Sequence, residues 1–192
     1  LVSSLSSFTE YQRDRAWTWE HQALVRARCV AGDADLCRAF EDARSRILAQ
    51  RRDADTLLAD VAGMRARMRA ELDRTERSDG RIVRFDLKQG EGGLVDLEFL
   101  LQFLVLRDAH ATPALLRPRD TPGLLAALYE ARSLPADDCA RLAEAHAVLL
   151  DVGLRCTLDR RARITAETDA ITAARGVIAG AVRAIGLSPA IG

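Results

Sequence analysis

One lysine stands in a glycine-rich stretch, where its type and position suit anion binding. Among the 28 lysine and arginine residues, Lys88, in FDLKQGEGG, is the only lysine. A lysine ammonium is a compact, mobile charge that can reach a phosphate. Glycine permits unusual backbone conformations, and N–H groups at a helix start bind anions. The stretch therefore predicts phosphate binding by Lys88 and the N–H groups of Gly90, Gly92 and Gly93.

The same stretch has a second interpretation, because it matches neither GxxxxGKS nor GxGxxG, the nucleotide-binding fingerprints. The glycines would then only relieve crowding in a tight loop, and the ammonium of Lys88 would be solvated. Composition alone leaves both interpretations open.

Two carboxylates, Asp96 and Glu98, stand in the first turn of the apolar segment that follows. The helix dipole favours negative charge there. Residues two apart on a helix point in different directions, so these are not a paired-carboxylate site. Either could hold an arginine from a neighbouring helix or reach a metal in a facing domain, and the structural role is the favoured one.

The stretch TWEHQALVRAR carries the second group of candidates, in which Glu20 and His21 are adjacent and Arg28 follows. His21, close to two tryptophans, could be a general base, but such a histidine is more often a hydrogen-bonded core residue. No serine, cysteine or aspartate stands at a spacing that would complete a triad with it. We predict no catalytic residue and no metal site within the chain.

Composition excludes several classes of function. The 192 residues are 48% hydrophobic and carry a net charge of +0, so no global field attracts nucleic acid or an anionic membrane. No apolar run reaches the ~20 residues of a membrane span, and no signal peptide is recognisable. The four cysteines form no CxxC pair, which favours reduced thiols and a cytoplasmic location.

The elements that must position these residues are predicted to be helices. Low aromatic content with abundant alanine, leucine and arginine favours an all-α fold, a bundle of about seven helices with a glycine-rich loop before a central apolar helix. A first helix is predicted from Thr9 through Arg28, packed on two sides, and Asp33 and Asp53 are predicted to cap the next two.

The third of these helices and the last ones have their own patterns. The third has an apolar stripe from Leu57 to Leu72, with Arg65, Arg67 and Arg69 solvated or lining a cleft. Pro135 is predicted to open a late helix with Leu142, Leu149 and Leu158 on one buried face. A final helix is predicted over 168–185.

Two stretches together resemble a known family: LVSSLSSFTEYQRDRAWTWEHQALVRARCVAGD and FDLKQGEGGLVDLEFLLQFLVLR. They are similar to the C-terminal part of glutamine synthetase adenylyltransferase, a bifunctional enzyme with two nucleotidyltransferase domains, each followed by a helical domain. The resemblance implies that the chain is the helical domain after the second nucleotidyltransferase domain. That half of the enzyme transfers AMP from ATP to a tyrosine of glutamine synthetase.

The resemblance also implies a domain organisation. Residues 1–192 would be one helical domain, in which 1–8 lead out of the preceding nucleotidyltransferase domain and 9–77 form three helices. The glycine-rich loop would be 78–93, and the remaining helices 94–186. The catalytic carboxylates would precede Leu1, so the isolated chain would be inactive.

Partners and site roles follow from the same resemblance. The partners would be glutamine synthetase, the PII signal protein and the preceding nucleotidyltransferase domain, and the intact enzyme would use ATP and magnesium, neither held firmly by this chain. Arg26 and Arg28 would neutralise the leaving pyrophosphate. The residues expected to face the nucleotide or substrate cleft are Asp86, Lys88, Gln89, Gly90, Gly92, Gly93, Glu20, His21, Arg26 and Arg28.

A second hypothesis belongs to another class of function. The chain could be a regulatory or docking module that binds glutamine, the PII protein or glutamine synthetase without contacting nucleotide. Such a module would need no phosphate contacts at Lys88.

Overall fold

The computed structural model describes residues 3–187. This part of the chain is mostly helical, with eight α-helices, one short 3-10 helix at Pro113–Leu116 and three strands. The α-helices are α1 (Leu5–Asp14), α2 (Thr18–Arg26), α3 (Ala34–Leu48), α4 (Ala54–Leu72), α5 (Leu94–Asp108), α6 (Thr121–Glu130), α7 (Ala136–Leu158) and α8 (Asp169–Ile185). The strands are β1 (Glu76–Ser78), β2 (Arg81–Asp86) and β3 (Ile164–Ala166).

The three strands correct the prediction of a purely helical bundle. They form one antiparallel sheet in the order β1-β2-β3, in which Ser78 pairs with Arg81 and Phe85 with Thr165. Asp79 and Gly80 join β1 to β2 with φ values of 49° and 74°. Two successive positive φ values match the right-handed twist of a hairpin, and Asp-Gly is a preferred pair for them.

The N-terminal region contains two helices where one was predicted. The backbone is extended at Trp17 (ψ 156°), so α1 ends before it and α2 starts after it. The carboxylate of Glu20 accepts the N–H of Trp17 at 2.8 Å, which satisfies a donor at the new helix start. Residues 9–77 therefore lie in four helices and the first hairpin strand rather than in three helices.

The break also changes the environment of the two tryptophans. A helix packed on two sides would bury both, yet Trp17 is 70% exposed and Trp19 is 46% exposed. The prediction of two-sided packing was wrong, because Trp17 lies outside the helix instead of on its face.

Several predicted helix boundaries are confirmed. Asp33 accepts the N–H groups of Asp35 and Leu36, and Asp53 accepts that of Thr56. Thr168 caps α8 in the same way. These side chains satisfy N–H groups that a helix start leaves without a partner.

The chain divides into two compact units. Unit 1 comprises the residues up to Asp60 together with Leu101–Ser133, and unit 2 comprises Val61–Leu100 together with the residues from Leu134 on. The buried apolar residues of unit 1 include Val25, Ile47, Leu48, Leu104, Leu115, Leu124 and Leu128. Those of unit 2 include Phe85, Leu87, Leu97, Leu142, Leu149, Ile171 and Ile178.

Helix α5 begins at Leu94, as the apolar pattern predicts. Burial continues round the helix, since residues as different in direction as Val95, Leu97, Leu101 and Leu104 are all at most 5% exposed. Unit 2 contains its residues up to Leu100, and unit 1 contains the rest.

Helix α7 packs along α8 within unit 2. Leu142 and Leu149 are fully buried, as predicted, whereas Leu158 is 83% exposed. The prediction that Leu158 belongs to the same buried face was wrong. Sixteen residues separate it from Leu142, and a helix of 3.6 residues per turn has turned away over that length.

The cysteines also differ from the prediction of four reduced thiols. Cys29 and Cys37 form a disulfide, whereas Cys139 and Cys156 are free and buried. The loop between α2 and α3 reverses at Gly32, whose φ is +130°, and this reversal brings Cys29 onto the first turn of α3.

Leu1 and Val2, part of the predicted 1–8 lead segment, lie outside the described residues. Among residues 3–187, no helix combines the length and the apolar character that crossing a membrane would take.

Candidate functional site

Lys88 lies at the exposed tip of consecutive turns, residues 87–93, that connect β2 to α5 in unit 2. Its neighbours Leu87 and Gln89 are buried. Within residues 3–187 the ammonium of Lys88 takes part in no hydrogen bond or ion pair. The lysine therefore offers a free cation, as both interpretations of the sequence allow.

Asp86 fastens the backbone that carries Lys88. This buried carboxylate accepts the N–H groups of Lys88 and Gln89, each at 3.0 Å, and the N–H of Arg74 at 3.3 Å. A carboxylate that accepts N–H groups from residues ahead of it in the chain holds a turn in place. Asp86 thus positions Lys88 through the backbone, and its oxygen atoms are occupied by that task.

The glycine N–H groups donate within the chain. Gly90 donates to the carbonyl of Asp86 at 3.0 Å, Gly92 to the carboxylate of Asp96 at 2.7 Å, and Gly93 to the carbonyl of Gly90 at 2.8 Å. An anion at this helix start would have to displace these acceptors. In this arrangement the ammonium of Lys88 is free, whereas the glycine N–H groups are occupied.

Two of the glycines are required by packing. A Cβ at Gly90 would lie 2.4 Å from the ring of Phe85, and one at Gly92 would lie 2.2 Å from the carbonyl oxygen of Arg175. Gly92 also has a φ of +80°, which L residues rarely adopt. The turn is therefore tightly packed against β2 and α8.

A buried charge cluster supports the turn from below. The carboxylate of Asp96, whose side chain is fully buried, accepts from Arg65 Nε at 2.5 Å and from Arg69 Nη2 at 2.8 Å. Arg65 also donates to the backbone carbonyl of Gln89 at 2.7 Å and to its side-chain oxygen at 3.3 Å. Burial lowers the pKa of Arg65, and the charge of Asp96 opposes that effect.

This cluster decides two open points of the sequence analysis. Asp96 has the partners from a neighbouring helix that the sequence allowed for, whereas Glu98 is half-buried on the next face of α5. Arg65 is 4% exposed, so the interpretation of a solvated arginine was wrong there. The signal available in the sequence was a carboxylate in an apolar helix, which needs a cation when it is buried.

The second group of candidates lies in unit 1. Glu20 accepts the hydroxyl of Tyr11 at 3.0 Å besides the N–H of Trp17. His21 Nε2 lies 2.8 Å from the carbonyl of Gln12, and Nδ1 lies 3.4 Å from Arg52 Nη2. Burial lowers the pKa of His21. A neutral imidazole that donates at Nε2 and accepts at Nδ1 satisfies both contacts, which is the geometry of a hydrogen-bonded core histidine.

Arg26 and Arg28, the two arginines of this group, differ in their side-chain contacts. Arg26 donates to the hydroxyl of Thr121 at 2.8 Å and to the carbonyl of Arg119 at 3.2 Å. Arg28 is exposed and, within the described residues, has no hydrogen bond or ion pair. It lines an apolar cleft of about 410 Å³ together with Phe8, Leu36, Phe40 and the Cys29–Cys37 disulfide.

Sequence reasoning missed the arginine that holds the end of α2. Arg44 is fully buried and donates to the carbonyls of Leu24, Val25 and Leu116 at 2.6, 2.6 and 3.0 Å. Burial lowers its pKa to about 10. The last carbonyls of a helix lack N–H partners within the helix, and the guanidinium of Arg44 supplies the missing donors at the end of α2. No pattern around Arg44 distinguishes it from the other arginines.

The structure thus forms two local arrangements from the candidate residues. In unit 2, Asp86, Lys88, Gln89, the three glycines and Asp96 form one hydrogen-bonded turn. In unit 1, Glu20 and His21 fasten the start of α2, and Arg28 follows its end.

The described residues, 3–187, offer no set of ligands for the magnesium that the resemblance implies. Across residues 3–187, no group of three or more histidine, cysteine, aspartate or glutamate side chains is placed to hold a metal ion. The buried oxygens of Asp86 and Asp96 already accept N–H groups, so they do not form a free ligand set of the kind that Mg²⁺ prefers.

The chain is similar to two known protein families. Residues 62–164, more than half of the chain and including the Lys88 turn, match the family described as GlnD PII-uridylyltransferase. The chain belongs to this family. Residues 1–43 match a second family, described as Glutamate-ammonia ligase adenylyltransferase. The two matches cover separate stretches of the same chain.

Relatives of this family member agree with the second match. The chain is 58% identical, over its full 192 residues, to a bifunctional glutamine synthetase adenylyltransferase/adenylyl-removing enzyme of Xanthomonas axonopodis pv. citri (strain 306). Proteins of the same description from Stenotrophomonas maltophilia (strain R551-3) and Pseudomonas putida are 59% and 40% identical over 94% and 85% of the chain. The resemblance to glutamine synthetase adenylyltransferase is confirmed. The chain spans about 20% of the length of the first of these relatives.

Proposed function

We propose that this chain is the helical segment of a glutamine synthetase adenylyltransferase, supporting the transfer of AMP from ATP to a tyrosine of glutamine synthetase. The observation that carries the proposal is 58% identity along the entire chain to an enzyme of that name. The segment lacks the catalytic carboxylates, so the isolated chain is inactive. It works in the cytoplasm, next to a nucleotidyltransferase domain of the same polypeptide.

Lys88 is the residue through which this segment serves the reaction. Its ammonium is free, while Asp86, Arg65 and Asp96 hold the turn beneath it. A positioned cation can stabilise charge that develops on phosphate oxygens during nucleotidyl transfer. Lys88 contacts the ATP phosphates or the incoming substrate loop, and the turn keeps its backbone fixed as it does so.

Arg28 is the corresponding residue of unit 1. Its guanidinium has no partner among the described residues, and it follows a helix end held by Arg44. It neutralises charge on the leaving pyrophosphate. In this proposal the magnesium ion of the intact enzyme is bound by its nucleotidyltransferase domain.

The test uses the full-length polypeptide with Lys88→Ala. Because Lys88 is exposed and has no side-chain partner, the substitution should leave folding unchanged while lowering kcat/KM for adenylylation at least about 10-fold, as expected for the loss of a charge contact in the transition state. Arg77→Ala, which removes an exposed cation on β1, is the matched control. Unchanged adenylylation kinetics and ATP affinity for Lys88→Ala would remove the role proposed for this residue.

A binding experiment separates this function from a regulatory docking role. The isolated 192-residue chain is titrated with magnesium-ATP, glutamine, PII protein and glutamine synthetase. Binding of glutamine or PII that is insensitive to Lys88→Ala would favour the docking module. Weak nucleotide binding that depends on Lys88 would favour the proposed function.

A further inference from the structure

The Cys29–Cys37 disulfide joins the segment after α2 to the first turn of α3, eight residues further along the chain. Both of its cysteines are only partly buried, whereas the thiols of Cys139 and Cys156 belong to residues that are 9% and 1% exposed. A disulfide is reduced by attack of a thiolate on one of its sulfur atoms, so access decides which cysteines react. The bonded pair, unlike the two buried thiols, is therefore open to exchange with a dissolved thiol.

The disulfide also holds residues 30–32, which form one side of the apolar cleft. These residues are exposed, and within residues 3–187 their backbone N–H groups donate no hydrogen bond. The backbone just before them has two noncovalent contacts. Arg119 donates to the carbonyl of Ala27 at 2.9 Å, and the N–H of Cys29 donates to Glu41 at 3.3 Å. The disulfide is therefore the tie that holds this side of the cleft onto α3.

We propose that the Cys29–Cys37 pair is a thiol–disulfide exchange site whose redox state sets the mobility of residues 28–32. The co-reactant is a small cellular thiol of the glutathione type. One glutathione thiolate attacks a sulfur atom of the pair, forms a mixed disulfide with that cysteine and releases the other cysteine as a thiolate.

A second glutathione completes the exchange. Its thiolate attacks the glutathione sulfur of the mixed disulfide, so the remaining cysteine is released and oxidised glutathione leaves. Two glutathione thiols are consumed, and their two protons end on Cys29 and Cys37. The reverse reaction forms the cysteine disulfide again and reduces oxidised glutathione to two thiols.

Two features favour reversible exchange over a permanent bond. A disulfide resists reduction partly through the constraint it places on the unfolded chain, and that constraint is smaller for a short loop such as this one. In the cytoplasm, where the proposed function places the protein, disulfides that do form are usually catalytic or redox-sensing. The cellular setting thus rests on the proposed function, whereas the exchange itself depends on the chain alone.

Redox titration of the 192-residue chain tests the exchange. The chain is equilibrated in mixtures of reduced and oxidised glutathione, trapped with iodoacetamide and mapped by mass spectrometry. Cys29 and Cys37 should pass together from the disulfide to two labelled thiols as the share of reduced glutathione rises. Cys139→Ala, at a buried cysteine outside the pair, is the control and should leave this transition unchanged. A pair that stays bonded in every mixture, or never bonds in oxidised glutathione, overturns the proposal.

The same titration on the full-length polypeptide tests the site in the intact protein. The pair should respond there as well, and a pair that no longer responds overturns the proposal. Exchange is measured from the masses of the two cysteine peptides, while the proposed function is measured from the adenylylation kinetics of Lys88→Ala. Failure of one measurement therefore leaves the result of the other intact.

Limited proteolysis tests the mobility of residues 28–32. Trypsin cuts after Arg28 only when this segment opens enough to enter the protease. Cys37→Ser prevents the disulfide without changing the cleavage site, and it should be cut there at least about fivefold faster than the oxidised wild-type chain. Cleavage after Arg160, in an exposed turn of unit 2, is the internal control and should be equal in the two chains. Equal rates after Arg28 would overturn the proposal.

Discussion

Each unit contains a buried arginine that donates hydrogen bonds to backbone carbonyls of its own unit. Arg44 reaches three carbonyls of unit 1, and Arg65 reaches Asp96 and both oxygens of Gln89 in unit 2. A guanidinium presents five N–H donors in a fixed plane, so one arginine side chain can donate hydrogen bonds to several acceptors at once. Arg44 therefore fixes the end of α2, which precedes Arg28, and Arg65 fixes the turn that carries Lys88.

The Asp96 carboxylate is the residue whose loss should destabilise unit 2 most. Asp96→Asn leaves Arg65 buried without its counter-charge, so we expect a loss of about 3 kcal/mol in the free energy of unfolding. Urea denaturation followed by circular dichroism measures it. Glu76→Gln, which breaks the exposed pair with Arg84, is the control and should change little. Equal effects of the two substitutions would show that the Asp96 cluster is not a buried network.

The start of α5 is hydrogen-bonded to the turn that precedes it. Its first N–H groups donate to carbonyls of the preceding turn, including Leu94 to Leu87 and Val95 to Lys88. The turn and the helix are therefore one hydrogen-bonded element, and Lys88 lies on its outer side. Glycines in this element and in α8 look alike in the sequence but have different surroundings.

Two glycine-to-alanine substitutions should have opposite effects. Gly92→Ala places a methyl group 2.2 Å from the carbonyl of Arg175 at a φ of +80°, so it should destabilise by more than about 1 kcal/mol. Gly180→Ala adds a methyl group inside α8, where nothing lies within 4 Å, and should stabilise by about 0.5–1 kcal/mol. Thermal unfolding measures both. If Gly92→Ala were neutral, the close approach of the turn to α8 would be wrong.

Elements with local signals could be predicted from the sequence, and those defined by distant contacts could not. Asp33, Asp53 and Thr168 cap helices through residues that follow at once, so their effect is visible in a short window. The Asp79–Gly80 pair is also a local turn signal, although the sequence analysis predicts only a glycine-rich loop over 78–93 and no hairpin there. Strand β3 pairs with β2 across some eighty residues, and no short pattern specifies that pairing.

In the candidate site too, local sequence signals could be recognised, and contacts between distant residues could not. Lys88 stands out in the sequence because no other lysine occurs. The predicted glycine-rich loop of 78–93 is not confirmed as such, because strand β2 occupies Arg81–Asp86 within it. The support from Arg65 was missed because the chain contains many arginines, and only the fold shows which one meets Asp96. The partner of a buried charge depends on how the helices pack against each other, and residue spacing along one helix does not predict that packing.

For the molecule as a whole, equal numbers of acidic and basic residues leave local groups to set the response to pH. The net charge is +0 with a pI near 7.0, so charge repulsion across the whole molecule is small close to neutrality. His21 is such a group, because burial lowers the pKa of its imidazole from the ordinary value of 6.5.

Acidification should therefore destabilise the fold through His21. The unfolded chain binds a proton at this histidine near pH 6.5, while the folded chain binds it only at lower pH. Stability is therefore constant well above pH 6.5 and decreases as the pH falls through that value. Urea midpoints on both sides of pH 6.5 measure the slope. His21→Gln should flatten it, whereas His110→Gln, at an exposed position, should not. A slope unaffected by His21→Gln would assign the effect to other groups.

The two tryptophans at the start of α2 have an optical consequence. Both indoles face water in the native state, 70% and 46% exposed, so the native emission should already be red-shifted and readily quenched by iodide. Denaturation should move that spectrum little, which makes intrinsic fluorescence a poor reporter of unfolding here. The same property makes it a sensitive reporter of docking, because a molecule that covers this corner of unit 1 will shift the emission to the blue.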